Sequence, residues 1–249
     1  MADPIHQFKI DELFPVVNIA GHQIHFTNSA FYMMLTVGLT AALMLGPTAA
    51  RRLVPTRMQS LAEMSYEFIA NTIRSTAGEQ GLTFFPLVFS LFMFVLVSNV
   101  IGLIPFAFTV SSHIIVTASL ALLVFFTVIV YGFYKHGLGF LRLFVPRGIP
   151  IYILPLIVVI ELLSFLSRPI SHSVRLFANM LAGHITLKLV ASFVSMIGAF
   201  GFVGWLGATL PLAFTVALTA LELLVACLQA YVFAILTCIY LNDALHPGH

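Results

Sequence analysis

Long apolar runs with few interruptions set the pattern of this chain. A helix needs about 20 apolar residues to cross a ~30 Å hydrocarbon core, and Asn28 to Ala50 supplies the first such run. From Gln80 to Tyr134 there is no Asp, Glu, Lys or Arg. That stretch is too long for one helix. Pro105 and the Ser111-Ser112-His113 cluster break it into spans at about 84–105 and 113–134. A fourth apolar region runs from near Pro150 to Ile197 and a fifth from Pro211 to Leu241. The series Gly198, Gly201, Gly204 and Gly207 between them reads as a turn.

One segment departs from this pattern. Over 58–81, Leu61, Met64, Phe68 and Ile69 recur at helical spacing, while Glu63, Glu67, Asn71 and Arg74 take the other side. The segment is too polar to span and predicts an amphipathic helix lying along the membrane interface; an ordinary surface helix is the plainer alternative. The pattern thus predicts an all-α polytopic membrane protein. It has five transmembrane helices and one interfacial helix, and its last two helices form a long, tilted antiparallel hairpin over 150–243.

Composition agrees. Sixty per cent of the 249 residues are hydrophobic and 8% are charged, against roughly 25% charged in a soluble domain. That excludes a water-soluble fold, and residues 1–249 read as a single membrane domain. Arg51, Arg52 and Arg57 follow the first span, and Lys135, Arg142 and Arg147 follow the third. The connections near 105–113 and 198–210 carry no Lys or Arg. The positive-inside rule then predicts residues 1–27 as an outer-side segment and the C-terminus inside. The N-terminus lacks the layout of a signal peptide. Cys227 and Cys238, ~16 Å apart along one helix, are too distant for a disulfide and read as small core residues.

Five charged residues lie at membrane depth: Glu161, Arg168, Arg175, Lys188 and Glu222. Each costs roughly 2.5–3.5 kcal/mol at a helix centre, and such residues usually face a cavity or the bundle interior. At about 100° per residue, Glu161, Ser164, Arg168, Ser171, His172 and Asn179 all fall within about 60° of Arg175. Ala182 and Thr186 extend that stripe. His184 and Lys188 fall on the opposite face, and Pro169 inside the helix is expected to bend it. In an antiparallel pair, residues of equal number sum share a level. Arg175 then meets Gln229, His184 meets Glu222, and Glu161 meets Asp243.

This arrangement predicts a proton path. A His184–Glu222 pair toward the outer side takes up and passes protons. An Arg cannot deprotonate, so Arg175 is a fixed positive barrier that attracts a carboxylate from a neighbouring subunit. Glu161, with Ser164, Ser171 and His172, lines the inner side. Arg168 either snorkels or pairs with Glu161. Lys188 snorkels outward. Asn99 lines the uptake side or bonds across helices. The remaining histidines, His113 and His136 among them, lie near water without a special role.

The stretch SVRLFANMLAGH (173–184), preceded by SRP (167–169), resembles the signature of subunit a of the F-type ATP synthase. LQAYVFAILTCIYL (228–241) is similar to that family's last helix, and PLVFSLFMFVLVSNVIGLIP (86–105) to its second span. The resemblance covers most of the chain from about Asn28 onward. It implies a stator subunit in a bacterial inner membrane, beside a ring of c subunits whose buried carboxylates carry protons past it. The expected partners are the c-ring, peripheral-stalk b subunits and, indirectly, the catalytic ATPase head. By residue match Arg175 takes the place of the family's essential arginine, Gln229 that of its glutamine partner and Asn179 that of the nearby asparagine. Part of the family carries Glu where His184 stands and His where Glu222 stands; the exchange here is that of mitochondrial-like members. The resemblance implies no cofactor, metal or nucleic acid, and the absence of an added set of oxygen ligands favours H⁺ over Na⁺. No nucleotide-binding loop is apparent, so the chain is not expected to be an enzyme alone. A secondary proton-coupled transporter would instead need inverted repeats with broken helices, and a membrane scaffold would not need the polar stripe.

Overall fold

The computed structural model describes residues 10, 12–19, 22–49, 55–104, 107–145, 150 and 152–246. Arg51, Arg52, Pro105 and Arg147 lie outside them. The described chain is a β-hairpin, β1 (Glu12–Ile19) and β2 (His22–Thr27), followed by six α-helices. These are α1 (Asn28–Ala49), α2 (Arg57–Ala77), α3 (Phe85–Gly102), α4 (Ile114–His136), α5 (Leu154–Gly198) and α6 (Gly201–Leu245). Short 3₁₀ segments occupy Glu79–Phe84, Val110–Ser112 and Gly137–Phe144. Five helical stretches are long and apolar enough to cross a membrane, as the hydrophobic pattern predicts.

Local chemistry places the boundaries. Thr27 caps α1 by accepting from the Ala30 amide at 3.3 Å. Thr56 caps α2 by accepting from the Gln59 amide at 3.3 Å, in a Thr-x-x-Gln setting suited to a helix start. Gly78, at φ 68°, ends α2 and returns its N–H to the Arg74 carbonyl, a conformation open to glycine at little cost.

Three features differ from the sequence reading. β1 and β2 pair antiparallel, with register shifts around Pro15; proline has no N–H to give a ladder and sits where pairing is irregular. The glycine series is not an extended turn. Only Gly201, at φ 77°, takes the turn conformation, while Gly204 and Gly207 belong to α6, which starts ten residues before Pro211. Gly204 lies against the Ile197 carbonyl at the end of α5, where a Cβ would collide, so its lack of a side chain lets the start of α6 pack against that end.

The third difference concerns α2. Its buried side is Ala62, Ile69, Ala70, Ile73 and Ala77, while Leu61, Met64 and Phe68 are exposed. The helix therefore has three faces: one packed on protein, one apolar and uncovered, and one carrying Glu63, Glu67, Asn71 and Arg74. An uncovered apolar face beside a charged one suits a helix seated in the interface.

The described residues fall into two compact units. The first comprises Met1–Thr40, Phe94–His113 and Leu176–Ala230; its buried core includes Val95, Ile101, Phe108, Val110, Leu176 and Met180. The second comprises Ala41–Met93, Ile114–Arg175 and Tyr231–His249, with Ile69, Val124, Val128, Phe140, Phe165 and Phe233 buried. In the second unit α5 and α6 pair antiparallel: Arg168 meets Asp243, and one turn on His172 meets Tyr240. Small residues recur every fourth position on α6. Ala226, Ala230, Ala234 and Cys238 are all fully buried, the spacing that lets helices approach closely where lipid removes the hydrophobic drive between them. Both cysteines are free; Cys238 is a buried core residue as expected, whereas Cys227 is exposed on α6 and is not. Hydroxyls on outer faces are satisfied within their own helix, Ser119 by the Ile115 carbonyl and Thr127 by that of Leu123.

Candidate functional site

Two polar clusters stand out, one in each unit. In the first unit His184 and Glu222 are both buried, and the His184 Nδ1 lies 3.2 Å from the Glu222 Oε1. These are the two residues that the hairpin arithmetic puts at one level. The approach is an ion-pair distance without an aligned N–H···O bond, and neither carboxylate oxygen has a hydrogen-bond partner among the described residues. Gly183 makes the pocket: a Cβ there would stand 2.8 Å from the Glu222 Oε1 and 3.2 Å from its Cδ. The other ring nitrogen of His184, Nε2, lies 3.0 Å from the Thr109 hydroxyl.

The same unit ties α3 to α6. Asn99 is fully buried and donates from Nδ2 to the Ala226 carbonyl at 3.3 Å. Its Oδ1 accepts from the Ser111 hydroxyl at 2.6 Å. Asn99 thus bonds across helices, one of the two roles foreseen for it. His113 stacks on Phe108 with ring centroids 4.8 Å apart. Its ring is partly covered, a less open setting than the sequence implies.

In the second unit Arg168 is the hub. Its Nη1 donates to the Asp243 Oδ2 at 2.6 Å, and its Nη2 lies 4.0 Å from the Glu161 Oε1. The guanidinium also sits over the rings of Phe165 and Tyr240, 5.3 and 5.2 Å from their centroids. The two carboxylates expected at one level are therefore joined through an arginine. Asp243 appeared in the sequence only as a level marker; the recurrence of a carboxylate at the level of Glu161, beside an in-stripe arginine, was the signal for it. His172 is buried, its ring 3.9 Å from that of Phe233, with Nε2 unpartnered among the described residues. It lines a small cavity with Phe125, Val128, Arg168, Pro169 and Tyr240. Ser173, next along α5, meets Thr117 of α4 at 3.2 Å.

The rest of the stripe faces outward. Ser164, Ser171, Arg175 and Asn179 are exposed, as are Ala182 and Thr186 beyond them. The inner-side set is thus divided: His172 points into protein, Ser164 and Ser171 away from it, and Glu161 is half-buried. No ion pair of Arg175 occurs among the described residues, whereas Arg168 on the same helix has two carboxylates. Gln229 is buried. No group of three or more potential metal ligands occurs among the described residues.

The Arg168–Asp243 pair is mostly buried, its side chains 20% and 26% exposed. A hydrogen bond to a charged group contributes about 1.5–3 kcal/mol. A double-mutant cycle on Arg168→Leu and Asp243→Asn is expected to give a coupling of that size in detergent unfolding. Coupling near zero would show the pair to be screened.

The family model described as "ATP synthase A chain" matches residues 30–242. A protein of Nitrobacter winogradskyi named ATP synthase subunit a is 70% identical over the whole of both chains. One of the same name from Rhodopseudomonas palustris is 70% identical over all of this chain and 99% of its own. Another from Afipia carboxidovorans is 67% identical over the full length of both.

Proposed function

The chain belongs to the ATP synthase A chain family, and from that premise we propose that it is the stator of a rotary proton path, holding two offset half-channels apart with Arg175. As a member of that family it is a multi-pass membrane subunit of the H⁺-transporting ATP synthase in a bacterial inner membrane. The observation that carries the finer reading is the setting of Arg175. It stands exposed on an apolar helix with no carboxylate of this chain beside it among the described residues. An uncompensated cation at that depth costs roughly 2.5–3.5 kcal/mol, so its counter-charge belongs to another subunit. A ring of c subunits, each presenting one carboxylate in turn, supplies it.

The two buried clusters fit the two half-channels. Protons enter through the outer one, where His184 and Glu222 hold adjacent titratable groups. They leave on the inner side past Glu161 and His172, where Arg168 and Asp243 fix the local charge. Because Arg175 keeps its proton, a proton crosses only by riding a ring carboxylate between the two. The N-terminus faces the periplasm and the C-terminus the cytoplasm, with b subunits anchoring this stator to the catalytic head.

The exposed polar stripe marks the ring-facing side. With Cys227 and Cys238 replaced, cysteines introduced at Ser171 and Asn179 are expected to form disulfides with a c subunit bearing a cysteine near its carboxylate. One at Ser119, on α4, is expected not to. Cross-linking from Ser119 but not from Ser171 or Asn179 would put the ring on another face and end this reading.

A further inference from the structure

We propose that Thr109 is a positioning residue for proton uptake: its hydroxyl holds the far nitrogen of His184 so that the near nitrogen faces Glu222. The inference rests on the reading of His184 and Glu222 as the outer half-channel, and it adds a residue that neither the hydrophobic pattern nor the family motifs single out.

The geometry is specific. Thr109 is fully buried, and its Oγ1 lies 3.0 Å from the His184 Nε2, while the opposite ring nitrogen lies 3.2 Å from Glu222. The imidazole is thus held at Nε2, with Nδ1 left at ion-pair distance from the carboxylate. Thr109 opens the 3₁₀ turn Val110–Ser112 at the position where a threonine side chain ordinarily caps the backbone, yet it makes no side-chain cap bond. Its hydroxyl differs in this from those of Thr36, Thr72, Thr127, Thr186 and Thr237, each of which donates to a carbonyl of its own helix.

The surroundings fix Thr109 in place. Its carbonyl accepts from the Ser112 hydroxyl at 2.7 Å and from the Ser112 amide at 3.3 Å. Ser111 in the same turn is held by Asn99, and Asn99 by the Ala226 carbonyl, one helical turn from Glu222 on α6. The frame that carries Thr109 is therefore tied to the helix that carries Glu222. Gly102 completes the seat: a Cβ there would lie 2.8 Å from the Thr109 Cγ2 and 3.0 Å from its Oγ1.

The chemistry suits a hydroxyl. Neutral imidazole with its proton on Nδ1 needs a donor at Nε2; the imidazolium needs an acceptor there. A threonine hydroxyl rotates to serve either, so the ring keeps its orientation as its proton comes and goes. Valine has the same shape and serves neither, so the ring loses this hydrogen bond. The charged and titratable groups facing the ring among the described residues are Glu222 from α6 and Lys188 one turn along α5. Thr109, Ser111 and Asn99 add only neutral groups.

The test uses the whole ATP synthase in liposomes, with ATP synthesis driven by an imposed proton gradient and rates expressed per assembled complex. Thr109→Val is expected to slow synthesis roughly five- to tenfold, the loss of about one hydrogen bond, and to displace the midpoint of its pH profile. Thr109→Ser is expected to restore both. Glu222→Gln runs alongside as the control on the underlying reading. If Glu222→Gln blocks synthesis while Thr109→Val keeps the wild-type rate and midpoint, the role of Thr109 is overturned and the half-channel stands. A loss confined to the amount of assembled complex, with rate and midpoint unchanged, overturns it too. If Glu222→Gln itself runs at the wild-type rate, the half-channel reading fails and the inference with it.

Discussion

Arg175→Ala is expected to abolish ATP-driven proton pumping while the complex still assembles and still hydrolyses ATP. The guanidinium makes no ion pair among the described residues and lies on the exposed face of α5, so its removal leaves no orphaned carboxylate inside the chain. Alanine is the best helix former, and a substitution at an exposed site away from packing changes stability by about 0.5 kcal/mol or less. The function has no such tolerance. Without a fixed cation, nothing draws the proton off an arriving ring carboxylate, and nothing separates the two aqueous ends. Raising that step by about 2.7 kcal/mol already costs a hundredfold in rate, and the cost of an uncompensated charge at membrane depth is of that size. Quenching of an acid-sensitive dye in inverted vesicles should therefore fall to background. Normal quenching in Arg175→Ala vesicles with a full complement of c subunits would remove the barrier role altogether.

Glu222→Gln is expected to have the next largest effect, a loss of about a hundredfold or more in gradient-driven ATP synthesis, the loss of a proton-transferring group. The amide has nearly the same shape, and Gly183 leaves the room it needs. Among the described residues the native carboxylate has the 3.2 Å approach of His184 and no hydrogen bond to offset its burial. The neutral amide also removes the desolvation cost of a buried carboxylate, so assembly should hold. What disappears is the proton-carrying group next to His184. Glu222→Asp keeps the charge but shortens the reach by one methylene, and it is expected to fall between the two. A Glu222→Gln complex that makes ATP at the normal rate would place the outer path elsewhere.

The hydrophobic pattern was enough to read the five spans and their order. Membrane helices must satisfy their backbone internally, so each span is written locally, in a run of about 20 apolar residues. The stripe on α5 was legible for the same reason: a period of 3.6 on a single helix is local information. The facing of His184 and Glu222 followed from antiparallel geometry, which residue numbers encode once the hairpin is recognised.

Other features lay beyond that kind of reading. The uncovered face of α2 and its packed face are both apolar, and only the neighbours decide which is which. Arg168 had Glu161 within reach on its own helix, yet its short bond goes to Asp243, 75 residues away. Thr109 sits in a turn with no periodicity to betray it, and its partner is 75 residues distant. Gly204 and Gly207 looked like turn residues because glycine breaks helices in water; in α6 the close approach of the Ile197 carbonyl gives at least Gly204 a packing use.

The sequence by itself determined which segments cross the membrane, which residues share a helix face, and that a cation stands at depth without a nearby carboxylate on its own helix. These depend on composition and local period alone. The tertiary structure decided which of those charges are neutralised within the chain, which nitrogen of His184 meets which partner, and which part of the α5 stripe turns outward. Those outcomes depend on contacts between distant segments, whose choice rests on close packing that no local pattern records.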